Sequence, residues 1–108
     1  MVEKFSKFEV YEFLDSDSMI EGYLEEVLKD GDPKLILSAL NDIAKAKGMS
    51  KIAEKSGLGR ESMYKALKPD AKPRFETIMK IIHAMGFTLS VQTPPPKALA
   101  EDKGKYKT

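Results

Sequence analysis

The apolar positions of this chain fall into five stretches of helical period followed by one of strand period. Met19, Ile20, Tyr23, Leu24, Val27 and Leu28 recur at i, i+1, i+4, i+5, i+8 and i+9, which is one face of a helix. Ser18 is placed to cap its start, Glu21 to reach back as a capping box, and Gly31 to stop it. Asp32-Pro33 then reads as an N-cap followed by proline at the first helical position. A second stripe follows at once, Leu35, Ile36, Ala39, Leu40, Ile43 and Ala44, ended by Gly48. Three shorter helices are expected next. The first is capped by Ser50, carries Ile52 and Ala53 and closes at Gly57; the second opens at Gly59, carries Met63, Ala66 and Leu67 and ends at Lys68-Pro69-Asp70. The third restarts after Pro73 and carries Ile78, Met79, Ile81, Ile82 and Met85 up to Gly86.

Phe87, Leu89 and Val91 alternate with Thr88, Ser90 and Gln92, the period of a half-buried strand. A lone strand leaves backbone groups without partners, and no second strongly alternating run exists in the chain. Pairing with the same strand of a second copy meets that need, so a two-fold homodimer is predicted, with the N-terminal arm as the competing partner. The expected organisation is an arm or short helix over 1–17, a helical domain over 18–93 and a disordered tail over 94–108. Pro94-Pro95-Pro96 leads that tail, which has no apolar period. The fold class is all-α, five helices with a short C-terminal strand.

Composition narrows the function classes. A chain of 108 residues builds one small domain, not a two-domain enzyme. Zero Cys removes disulfide frameworks, thiolate nucleophiles and cysteine zinc sites, and suits a cytoplasmic location. No apolar run is long enough for a membrane span, and charges scattered through MVEKFSKFEVYEF do not resemble an export signal. With one His, no Cys and no Gly-rich phosphate loop, the chain is expected to be neither an enzyme nor a holder of metal or cofactor. His83, on an otherwise apolar helix, is expected to be a partly buried or flanking residue.

The net charge of +1 hides a gradient. Residues 1–32 hold ten acids and three lysines, a net −7, and residues 33–108 carry a net +8. Two surfaces with different partners are implied.

The basic part contains SKIAEKSGLGRESMYKALK, residues 50–68. Ala53 is small enough for two helices to cross closely, Gly57 can take a positive φ in the tight turn, and Met63 can pin the second helix onto the first. That spacing is the pattern of a helix-turn-helix DNA reader, although an ordinary helical hairpin shares it. With Met63, Ala66 and Leu67 inward, Glu61, Lys65 and Lys68 point out, Ser62 and Tyr64 lie on the shoulders, and Arg60 stands at the helix start. Such side chains suit base edges: Arg pairs with guanine, Glu accepts from cytosine, Ser contacts several bases. Ser50 and Lys51, opening the preceding helix, suit phosphate. A solvated i, i+4 ion pair between Glu61 and Lys65 is the competing account of those two residues. From Met49 to Gly86 the net charge is +4, which doubles in a dimer.

The strings ALNDIAKAKGMS, GLGRESMYKAL and PRFETIMKII are more specific than the bare spacing, and residues 8–92 resemble the addiction-module antidote proteins, a branch of the Cro/repressor-like class. The resemblance implies a repressor-like DNA-binding domain encoded beside a small ribonuclease toxin resembling the RelE class. The antitoxin would neutralise that toxin and repress the shared operon. It implies a recognition helix over Gly59–Leu67, with Arg60, Glu61, Ser62, Tyr64 and Lys65 facing double-stranded operator DNA. One departure is Met49, near the slot where the wider class places a polar, phosphate-contacting residue, which leaves that task to Ser50 or Lys51.

A ribonuclease presents a basic surface, so an inhibitor needs an acidic one. Asp15, Asp17, Glu21, Glu25 and Glu26 are the candidate toxin-binding residues, with a solvated helix face as the plain alternative. Two other readings of the whole chain stay open: a free-standing phage-type repressor, and a helical adaptor that does not bind DNA.

Overall fold

The chain is described by a computed structural model over residues 10–93. A short 3-10 turn, Val10–Phe13, precedes five helices: α1 (Asp17–Asp30), α2 (Pro33–Lys47), α3 (Met49–Ser56), α4 (Arg60–Ala66) and α5 (Phe75–Ala84). The number and order of helices agree with the apolar periodicity. The expectations for residues 1–9 and 94–108 fall outside the described residues.

Two helix starts differ from expectation. Ser16, not Ser18, caps α1: its backbone is extended and its Oγ accepts the Met19 amide at 3.2 Å, which leaves Ser18 inside the first turn. The cap of α2 is Asp32, as expected, accepting the Lys34 amide at 3.1 Å with Pro33 directly behind it. Ser50 caps nothing. Met49 is drawn into the core as the first residue of α3, so Gly48 becomes the N-cap and Ser50 lies one position into the helix.

The core is built around α2, which packs on α1, on the 3-10 turn and on α3; α3 in turn packs on α4 and α5. Leu40, Ile43, Ile52, Met63, Ile81 and Ile82 are its largest fully buried side chains. Ile20 and Leu24 join from α1 on the face read from the periodicity. Two polar links fasten α1 to α2. The Tyr23 hydroxyl donates to Asp42 Oδ2 at 3.0 Å in a half-buried setting, and Lys47 Nζ lies 3.1 Å from Asp17 Oδ1. The Lys47 ammonium also sits 5.6 Å from the centre of the Phe87 ring, and Lys45 sits at the same distance over Tyr11.

The C-terminal strand is not formed in the single chain. Phe87 donates its amide to the Ile82 carbonyl at 3.2 Å, and beyond it Thr88–Thr93 make no backbone–backbone hydrogen bond among the described residues. Alternation of side chains sets which way each residue would face, but ladder hydrogen bonds make a strand. Val91 is 99 % exposed and Leu89 38 %, which leaves both on the surface. His83 is exposed, which fits the flanking alternative and not the partly buried one.

Truncating Met63 to Ala empties a fully buried site and is expected to cost about 2–5 kcal/mol, read as a lower urea midpoint with unchanged slope. A second expectation concerns alkaline pH. Burial first, then the Asp42 hydrogen bond and charge, raise the Tyr23 phenol above its ordinary value near 10. The folded chain therefore holds that proton more tightly than the unfolded one. Its contribution is complete below about pH 10 and declines as pH rises toward the folded value. Urea titrations between about pH 8 and 11 should show wild type losing stability relative to Tyr23→Phe as the pH rises.

Candidate functional site

The turn between α3 and α4 is held by a small set of bonds around Ala53. Its carbonyl accepts the Ser56 hydroxyl at 2.9 Å and the Gly59 amide at 3.4 Å, and the Ser56 oxygen accepts the Leu58 amide at 3.3 Å. Gly57 has φ +77° and Gly59 φ +84°, left-handed values that side-chain-bearing residues rarely adopt, so both ends of this three-residue turn need glycine. Ala53 and Met63 are 3 % and 0 % exposed and belong to one core cluster with Ile52 and Leu67; Leu58 packs against that cluster from the turn. Ala53, Gly57 and Met63, which define the spacing, are thereby all engaged.

With Met63 and Leu67 buried, Arg60, Glu61, Ser62, Tyr64, Lys65 and Lys68 are all exposed, as the helical wheel predicts. They are not equivalent. Arg60 folds back along the helix: its guanidinium lies 5.7 Å from the centre of the Tyr64 ring, and its Nη2 is 3.5 Å from the Tyr64 hydroxyl. Glu61 and Lys65 form no ion pair among the described residues, whereas the same spacing does pair Glu76 with Lys80 at 3.7 Å. The outer face of α4 thus offers a carboxylate, a hydroxyl and an ammonium, beside an arginine stacked on a tyrosine.

Ser50 and Lys51 are exposed on the first turn of α3. Lys51 also lines a groove of about 660 Å³ together with Lys47, Lys55, Asp17 and Glu21. Residues expected on the basic surface and residues expected on the acidic one therefore share a groove. Wheel reasoning left out Lys72 and Arg74, both exposed in the loop between α4 and α5, because they lie on no helix. Their sign, and their place within six residues of Lys68, are the available signal.

The acidic candidates Asp15, Asp17, Glu21, Glu25 and Glu26 are all exposed. Asp17 is engaged with Lys47. Glu21 and Glu25, one helical turn apart, line a groove of about 510 Å³ between α1 and the segment beyond α5, and Glu26 does not. The apolar members of that groove, Leu24, Leu28, Ile82, Phe87 and Leu89, read from the sequence as core or strand positions only. Among the described residues no group of three His, Asp or Glu is placed to hold a metal ion, and no helix is long and apolar enough to cross a membrane.

Comparison with known proteins bears on the identity of this arrangement. Residues 4–93 match the family described as "probable addiction module antidote protein". A protein of Haemophilus influenzae described as uncharacterized is 45 % identical over 92 residues, covering 85 % of this chain and 95 % of that protein. No solved structure matches significantly. The family match takes in all five helices, the α3–α4 turn and both grooves, and the chain belongs to the addiction-module antidote proteins, the antitoxin side of a toxin–antitoxin pair.

Proposed function

We propose that this antidote binds double-stranded operator DNA through α3 and α4, used as a helix-turn-helix of the Cro/repressor-like class, and represses its own operon. By protein contact it also neutralises a small RelE-like ribonuclease toxin, so it works by binding and not by catalysis. The observation that carries the DNA reading is the division of α4. Met63 and Leu67 are buried, and every other polar or charged position from Arg60 to Lys68 is open to solvent beyond a turn held by left-handed glycines.

On this reading α4 enters the major groove by its N-terminal end. Arg60 pairs with guanine, Glu61 accepts from cytosine, and Ser62, Tyr64 and Lys65 flank them. Ser50, Lys51 and Lys68 contact phosphate and set the register without reading sequence. Stacking on Tyr64 limits the conformations open to Arg60, which lowers the entropy lost when it engages a base.

The chain acts as a homodimer. One subunit carries a modest +4 across Met49–Gly86, and two subunits double the phosphate contacts. Two copies pairing along Phe87–Gln92 would satisfy the open backbone of that segment. Two-fold symmetry then places the recognition helices about 34 Å apart on successive major grooves.

A mobility-shift titration against duplex DNA from immediately upstream of the gene tests the reading. Binding is expected to weaken steeply with salt, and Lys68→Ala to reduce the salt slope by about one. Arg60→Ala should cost about 1–3 kcal/mol and relax the preference at one base pair. No salt-dependent binding, or binding indifferent to Arg60→Ala with Lys65→Ala, would favour an adaptor without DNA activity. Sedimentation should return twice the 12.1 kDa monomer mass at micromolar concentration. Co-purification with the product of a neighbouring small basic reading frame distinguishes an antitoxin from a free-standing repressor.

A further inference from the structure

The groove between α1 and the segment beyond α5 is left unused by the DNA reading. Leu24 and Leu28 of α1, Ile82 of α5, and Phe87 and Leu89 line it with apolar surface. Glu21, Glu25 and Lys29 stand along its α1 side, all exposed, so the carboxylates outnumber the one ammonium. On the opposite side, Thr88–Gln92 make no backbone–backbone hydrogen bond among the described residues. An apolar trough with a net negative wall on one side and, among the described residues, a backbone without ladder hydrogen bonds on the other has the chemistry that captures an extended peptide.

We propose that this groove is the docking site for an extended, basic segment of the cognate toxin. An apolar side chain of that segment seats against Leu24, Leu28 and Phe87, and a Lys or Arg beside it reaches Glu21 and Glu25. The proposal rests on the antidote reading, which supplies a toxin as partner, and adds where on the chain that partner sits and by what chemistry. Charge selects the occupant. A second copy pairing along one backbone edge of Phe87–Gln92 leaves the other edge to the groove; a two-fold related copy seated in the groove itself would bring the Glu21 and Glu25 pairs of both copies to one interface, where like charges oppose association. The same carboxylates repel nucleic acid. A basic polypeptide gains from them, and the net −7 of residues 10–32 steers it toward this side of the molecule. The groove also separates residues that the helix face alone treats alike, because Glu26 is exposed on α1 without lining it.

The test measures affinity of the full chain for the purified toxin from the adjacent reading frame, at low and at physiological salt. It compares wild type with Glu21→Lys/Glu25→Lys, Leu89→Asp and Glu26→Lys. All four substituted positions are on the surface, and circular dichroism and affinity for the upstream duplex report that the fold is kept. The double charge reversal and Leu89→Asp are each expected to weaken toxin binding at least about tenfold, against less than about threefold for Glu26→Lys. An equal loss from Glu26→Lys overturns the groove in favour of general attraction to the acidic face. Unchanged toxin affinity with loss of the dimer in Leu89→Asp overturns it in favour of a second copy as occupant. A wild-type chain that does not bind the toxin at all removes the antidote reading itself, whereas wild-type binding with indifferent variants removes only the groove.

Discussion

Helices of eight and seven residues do not hold their shape alone in water, because the cost of nucleation exceeds what so few backbone bonds return. Everything on the outer face of α4 therefore depends on the core beneath it. Met63 and Leu67 supply the anchorage from α4, Met49, Ile52 and Ala53 from α3, and Ile81 and Ile82 form the floor that α5 provides. The turn adds little surface to bury and contributes geometry instead. Two left-handed glycines and a bifurcated Ala53 carbonyl set the direction in which α4 leaves. The exposed row from Arg60 to Lys68 is oriented by side chains that never meet solvent.

Much of this is legible in the sequence. Leu40, Ile43 and Ala44 announced the buried stripe of α2, Asp32-Pro33 its start, and Ala53, Gly57 and Met63 the packed turn, since each rests on local period or local backbone chemistry. Matters decided by a distant partner could not be read. Ser50 looks like a cap until Met49 is drawn inward by contacts from elsewhere in the fold. The spacing of Glu61 and Lys65 permits an ion pair without making one, and the stacking of Arg60 on Tyr64 is one conformer among several that the same spacing allows. Alternation at Phe87–Gln92 describes the segment's two faces and is silent about what its backbone bonds to.

The charge gradient takes a more specific form in three dimensions. Acids and bases that lie in different parts of the sequence are not sent to opposite poles. Asp17 and Glu21 of α1 share a groove with Lys51 and Lys55 of α3, and Glu21 lines the neighbouring groove as well. Helix α1 thus borders both the groove that the lysines of α3 line and the groove that Leu24, Leu28 and Phe87 line. Occupation of either changes the electrostatic surroundings of the other across a single helix.

Lys47 gives that arrangement a mechanical side. Its ammonium lies against the Asp17 carboxylate, where α1 begins, and over the Phe87 ring, where the chain leaves α5. Two points seventy residues apart in the chain converge on one nitrogen at the end of α2. One side chain thus ties the start of α1 to the exit from α5, closing a length of chain that contains all five helices.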